Sequence, residues 1–154
     1  MPTLAVNKKA SFDYELLEKY EAGLVLFGHE VKSVRAGQAS LKGSFISPRT
    51  KDGKTELYLL GCQVPPYKQS GPMPDYNQRR ERKLLLKRKE IGRLLGKKQE
   101  EGLTLVPLKI YTNHSFLKLE FAVARGKKKY DKREAIKKRD VERSLRSLTK
   151  RQIK

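Results

Sequence analysis

Phe116-Leu117-Lys118-Leu119-Glu120-Phe121-Ala122-Val123-Ala124 decides the fold class. Leu117, Leu119, Phe121 and Val123 share one parity, and Lys118 and Glu120 take the other. That period of two is the signature of a half-buried strand. Just upstream, Thr112-Asn113-His114-Ser115 reads as a turn, its sequon pattern notwithstanding. Leu103 to Tyr111 reads as a strand that is edged or bulged at Pro107, because proline has no N–H to give a ladder. Ser44-Phe45-Ile46-Ser47 and Leu57-Tyr58-Leu59-Leu60 flank Lys51-Asp52-Gly53-Lys54. Asp-Gly there signals a hairpin, since both central residues of such a turn need positive φ. Between Tyr14 and Phe27, Leu16, Glu18, Tyr20, Ala22, Leu24 and Leu26 share one parity. A short helix over 14–20 is one reading. A long bent strand fits better, with Gly23 admitting a bulge.

The remaining elements are read as helical or irregular. Gly28 to Gly37 predicts a short helix, with Val31 and Val34 three apart and Gly37 as the stop. Residues 65–77 hold four of the seven prolines and Gly71, the composition of a surface loop. From about Gln78 to Glu101, Leu84, Ile91 and Leu95 recur at i, i+7 and i+11 beside Leu85 and Leu94. That spacing predicts one helix ended by Gly102. The class is mainly β (α+β), with about five antiparallel strands and interrupting helices. An OB-like barrel is one way to remove the sheet edges, but the pattern alone supports an antiparallel α+β domain better than any specific barrel.

Charge sets the partner class. Among 154 residues, 36 Lys and Arg oppose 17 Asp and Glu, leaving +19. Residues 125–154 carry 14 basic and 4 acidic residues, so +10, and residues 1–124 carry 22 and 13, so +9. So basic a chain repels itself unless a polyanion neutralises it, and nucleic acid is the commonest one. The division predicts a body over 1–124 and a basic C-terminal tail over 125–154. Arg79 to Lys98 alone holds 10 Lys/Arg and 2 acids. A merely solvated face mixes signs, so this stretch reads as phosphate-contacting. Glu21 and Glu90 stand out, because a carboxylate beside a polyanion costs Coulomb energy unless it accepts from a base amine or 2′-hydroxyl or orients a cation. An ordinary surface acid is the plain alternative. Tyr130, between a Lys triplet and Lys132-Arg133, has the setting of a base-stacking ring; an exposed linker tyrosine is its plain alternative. In the tail, Asp131 and Glu134 have capping-box spacing, and Val141, Leu145 and Leu148 share a helical face. Three apolar residues cannot offset the ordering entropy of twenty, so the tail is expected to be disordered when free and helical when bound.

Other chemistries find little support. One cysteine, Cys62, makes neither an internal disulfide nor a cysteine-rich zinc site, and fits a reducing compartment. No apolar stretch approaches the eighteen residues or so of a membrane span, and Met1 to Val6 is too short and weakly apolar for a secretory core. Gly92-Arg93-Leu94-Leu95-Gly96-Lys97 has three residues between glycines where a phosphate-binding loop needs four, and Lys98 where it needs Ser or Thr. A nuclease could use Glu21 or Glu30 with His29. Nothing in the spacing specifies that pairing, and surface or ion-paired carboxylates are the favoured reading.

Several motifs stand in order along the chain: Asn7-Lys8-Lys9-Ala10, Tyr20-Glu21-Ala22-Gly23-Leu24, Gly28-His29-Glu30-Val31-Lys32-Ser33-Val34-Arg35-Ala36-Gly37, Arg82-Lys83-Leu84-Leu85-Leu86, Glu101-Gly102-Leu103-Thr104-Leu105-Val106-Pro107-Leu108, and Val123-Ala124-Arg125-Gly126-Lys127-Lys128 with Asp131-Lys132-Arg133. Together they resemble the SmpB family, the SsrA-binding proteins of bacterial trans-translation. The resemblance implies an OB-like antiparallel β-barrel with flanking helices and a basic tail. It implies a non-enzymatic, cytoplasmic, monomeric adaptor without cofactor or metal. The body would bind the tRNA-like domain of tmRNA (SsrA RNA), and the tail would probe the vacant decoding centre and message channel of a stalled ribosome. Ribosomal RNA, and elongation factor Tu through the shared tmRNA, are the further partners implied. Family positions for tmRNA binding match Glu21, Leu85 and Lys87, in a neighbourhood that includes Arg82 and Lys83; at Lys87 relatives often carry Asn or His. Family tail positions match Gly126, Lys127, Lys128, Asp131, Lys132 and Arg133. At Tyr130 relatives often carry His, and either ring can stack. Two readings outside the family remain: a constitutive ribosomal component or general RNA chaperone, and a nuclease.

Overall fold

The computed structural model describes residues 2–99 and 102–126, together with Arg139 and Arg143. In chain order it contains β1 (Thr3–Val6), α1 (Ala10–Asp13), β2 (Tyr14–Leu24), α2 (Gly28–Arg35), β3 (Phe45–Lys51), β4 (Lys54–Leu60), a single 3₁₀ turn (Lys68–Ser70), β5 (Arg82–Leu85), α3 (Arg88–Gln99), β6 (Leu103–Asn113) and β7 (Phe116–Gly126). The strands form one antiparallel sheet in the order β1-β6-β7-β2-β5-β4-β3. The mainly β class read from the sequence holds. Among the described residues the ladders run continuously from β1 to β3, and β3 also packs near β6.

The core follows from alternation. Leu117, Leu119, Phe121 and Val123 of β7 are all buried, and so are Leu105 and Ile110 of β6 and Leu57 and Leu59 of β4. Val34 of α2 and Leu94 of α3 join the same cluster. The Tyr20 and Phe121 rings stack across β2 and β7, with centroids 5.8 Å apart. The β3–β4 turn has φ of 52° at Asp52 and 75° at Gly53, the left-handed pair that a two-residue hairpin needs. His114 takes the β6–β7 turn at φ 56°. Pro107 does mark a bulge, for the β6–β7 register shifts between Pro107 and Lys109. Asn7 secures that bulge: its side-chain amide donates to the Pro107 carbonyl at 2.8 Å and its backbone N–H to the Leu108 carbonyl at 2.7 Å.

Two expectations need correction. The stretch from Gln78 to Glu101 is not one helix. Arg82–Leu85 is strand β5, wedged between β2 and β4, and only Arg88–Gln99 is helical. Leu84 and Ile91, seven apart, satisfy a helical pattern, but Arg82 and Leu84 both point inward, two residues apart, as a strand demands. In β2 the register shift falls between Leu16 and Glu18, not at Gly23. β1 and α1 occupy residues for which the sequence pattern predicts no element. β7 runs through Arg125 and Gly126.

Candidate nucleic-acid interface

The outer face of the sheet is built by register. Tyr111 of β6 pairs with Lys118 of β7, Lys118 with Gly23 of β2, and Gly23 with Leu85 of β5. The neighbouring row places Lys109, Glu120 and Glu21 side by side. Directly opposed residues in paired strands share a face. One continuous row therefore crosses four strands that the sequence separates widely.

Glycine leaves a gap in that row. At Gly23 a Cβ would lie 3.2 Å from Leu85 Cβ and 3.3 Å from Leu85 Cδ1, so the Leu85 side chain leans over bare backbone. Leu85 is 54% exposed despite being apolar. The resulting notch, of about 330 Å³, has Gly23, Leu85 and Leu86 as its apolar surface. Glu21, Lys87, Glu90 and Lys118 line the remainder. Lys87 leads into α3, and its carbonyl accepts the Ile91 N–H at 3.0 Å. Burial raises the Tyr111 hydroxyl pKa well above the usual phenol value, and a hydrogen bond to Glu21 raises it further. Tyr111 thus stays protonated at neutral pH, with the Glu21 carboxylate beside its hydroxyl.

Two lysines and two carboxylates around an apolar patch do not make a simple phosphate cradle. Lysines supply donors to phosphate or base carbonyl oxygens. Carboxylates accept from base amines or a ribose 2′-hydroxyl. The exposed leucine offers a flat apolar contact. The combination suits a splayed nucleotide better than a bare anion.

Three of the family-matched positions, Glu21, Leu85 and Lys87, therefore meet at one notch, and Glu90 joins them. Arg82 does not. It is 1% exposed, and its guanidinium donates to Glu30 Oε2 at 2.6 and 3.0 Å and to the Cys62 carbonyl at 2.7 Å. Its guanidinium is spent inside the protein, so Arg82 is a core residue and not an RNA contact. Lys83 is half-buried and lies 3.9 Å from Glu56, which also pairs with Arg88. Lys97 pairs with Glu18 at 2.9 Å. The stretch read as a uniformly basic helical face is thus divided among core, ion pairs and surface. Lys118 and Gly23 were missed as site residues; nothing local distinguishes Lys118 from any outward strand lysine.

Beneath this face lies a buried ionic cluster. Glu30 of α2 is fully buried and accepts from Arg80, Arg82, the Tyr76 hydroxyl (2.7 Å) and the Phe27 N–H (2.8 Å). Burial alone would raise the Glu30 pKa. The hydrogen bonds from Arg80, Phe27, Tyr76 and Arg82 outweigh it and hold the pKa down to about 2. Burial, and then Glu30, pushes Tyr76 up to about 12. Burial pushes the Cys62 thiol up to about 11. Glu30 stays ionised at neutral pH and has no proton to trade. Glu21 lies on the outer sheet face, and His29 packs edge-on against Tyr76 with centroids 4.6 Å apart. The buried His29 Nδ1 has no hydrogen-bond partner among the described residues, so neither Glu21 nor Glu30 makes with it the acid–base pair considered for a nuclease. Among the described residues no three His, Cys, Asp or Glu side chains gather to hold a metal, and no helix is long and apolar enough to cross a membrane. Gly92 to Lys97 lies within α3 and forms no phosphate loop.

Of the tail positions, Gly126 is the exposed end of β7. Lys127, Lys128, Tyr130, Asp131, Lys132 and Arg133 lie outside the described residues. Arg139 and Arg143 are helical and exposed, and the Arg139 guanidinium sits 5.5 Å from the Phe12 ring centroid.

A family model described as SmpB protein matches residues 4–151. The chain belongs to the SmpB family. SmpB relatives called SsrA-binding protein come from Thermosipho melanesiensis, 51% identical over 97% of this chain and 99% of theirs, and from a Sulfurihydrogenibium strain, 48% identical over 98% and 96%. A solved SmpB structure described as "tmRNA-SmpB: a journey to the center of the bacterial ribosome" superposes with a TM-score of 0.65 at 48% identity, covering 85% of this chain and 92% of that one.

Proposed function

We propose that this protein is an RNA-binding adaptor that binds tmRNA at its tRNA-like domain and delivers it to stalled ribosomes for trans-translation. Membership of the SmpB family across residues 4–151 carries the reading. Near-full-length relatives named SsrA-binding protein, and a structural neighbour described with tmRNA and the bacterial ribosome, support it.

The notch is the proposed tmRNA contact, with Glu21, Leu85 and Lys87 as its family-matched members and Gly23, Glu90 and Lys118 completing it. Lys83 stands beside it. The tail is the proposed ribosome probe, through Gly126, Lys127, Lys128, Tyr130, Asp131, Lys132 and Arg133. It enters the vacant decoding centre and folds there as a helix. The protein acts as a cytoplasmic monomer, meets elongation factor Tu only through the shared tmRNA, and makes or breaks no bond itself.

Sequencing the RNA that co-purifies with the protein tests this directly. The expected result is strong enrichment of tmRNA over ordinary transfer and ribosomal RNA. Equal capture of unrelated structured RNAs would instead favour a general RNA chaperone. Cleavage of labelled RNA by pure protein, abolished by a chelator, would restore the nuclease reading.

A further inference from the structure

The face that carries the notch does not stop at Gly23. Extended backbone continues past β2, with the Val25 N–H donating to the Lys83 carbonyl at 3.0 Å. Glu21, Gly23, Val25 and Phe27 therefore alternate onto one side, while Leu24 and Leu26 pack against the core. Val25 is 43% exposed and Phe27 is 53% exposed. An apolar aromatic that open, on a chain this cationic, is a poor choice for a surface with nothing to cover.

One side of the Phe27 ring is already occupied. The Arg80 guanidinium carbon lies 3.9 Å from the ring centroid, a close cation–π stack. Both partners are fixed by the same buried carboxylate. Arg80 donates to both Glu30 oxygens, at 3.1 Å from its Nε, and to the Glu81 carbonyl at 3.1 Å, while the Phe27 N–H donates to Glu30 Oε1. Two arginines, Arg80 and Arg82, share one Glu30, so the cluster keeps one positive charge in excess at this spot. A rigid ring backed by a guanidinium, with half its surface open, is a preorganised platform for a π-system.

We infer that Phe27, backed by Arg80, is a second base-stacking position on the RNA-binding face, receiving an unpaired nucleobase of the RNA that occupies the Gly23–Leu85 notch. Phe27 lies four positions beyond Gly23, roughly 13 Å at about 3.3 Å per residue of extended chain, so a single RNA reaches both. The inference rests on the proposed RNA-binding reading.

The chain contains no tryptophan, so Phe27→Trp installs a single fluorescent reporter at the platform. With the tRNA-like domain of tmRNA as probe, F27W should bind at least as tightly as wild type, and its emission should be strongly quenched at saturation. Phe27→Ala should weaken binding by about fivefold to a hundredfold, the usual cost of removing one stacking ring, with the melting temperature checked to confirm folding. Wild-type affinity in F27A, or unquenched emission in RNA-bound F27W, would overturn the inference. So would quenching by ribosomes but not by the tRNA-like RNA. If wild type itself fails to bind that RNA, the proposed function falls instead.

Discussion

Leu85 lies directly across from Gly23 in the β2–β5 pairing and covers the space that a side chain there would fill. The notch exists because residue 23 has no Cβ. Gly23→Val should push Leu85 aside and fill the notch. Affinity for the tRNA-like RNA should fall about tenfold or more, equivalent to about 1.4 kcal/mol. Equilibrium binding by fluorescence anisotropy, with the melting temperature measured alongside, checks this. Unchanged affinity would show that the notch takes no nucleotide.

Arg82 should behave as a core residue. Replacing it with Met leaves Glu30 short of a buried partner, and breaking a buried pair from one side costs about 3–5 kcal/mol. Urea unfolding should show a stability loss of that order. Whatever fraction of R82M remains folded should bind RNA normally, since the guanidinium faces inward.

Acid should unlock the same cluster. Glu30 is held at about 2, below its ordinary 4.5. Its folded-state pKa is depressed, so its contribution is complete above about pH 4.5 and is lost as pH falls toward 2. A shift of about 2.5 units corresponds to about 3 kcal/mol. NMR titration of the Glu30 carboxyl carbon checks the midpoint, and a value near 4.5 would contradict the hydrogen-bond network described.

Salt should weaken RNA binding steeply. With six to ten phosphate contacts, affinity falls on the order of 10³–10⁵ between about 50 and 200 mM salt. A flat response would remove the electrostatic basis of the interface.

Removing the residues after Lys129 should separate the two proposed activities. Binding to the tRNA-like RNA should persist largely intact, while rescue of stalled ribosomes in a translation extract should be lost. Loss of RNA binding as well would place the tail within the tmRNA interface. Tyr130→Ala, in the full chain, should impair rescue more than tmRNA affinity.

Much of the fold is written locally. Period-two alternation in Phe116 to Ala124, paired positive φ at Asp52-Gly53, the missing N–H of Pro107 and the stop at Gly37 each act within a few residues. Strand β5 was not legible in that way. It is four residues long, its leucines fit a helical spacing, and its inward Arg82 makes sense only beside Glu30, fifty-two positions away. A buried arginine cannot be told from a surface one until its partner is placed.

The candidate site divides along the same line. The sequence by itself determined the polyanionic partner class, the antiparallel framework and, through its ordered motifs, the family. Only the tertiary structure decided that Glu21, Gly23, Leu85 and Lys118 share a notch, that Arg82 lies out of reach, and that Phe27 stands on Arg80. The physical reason is register. A strand's own pattern settles which residues face outward, but which outward residues become neighbours depends on hydrogen-bonded pairing between segments more than a hundred positions apart.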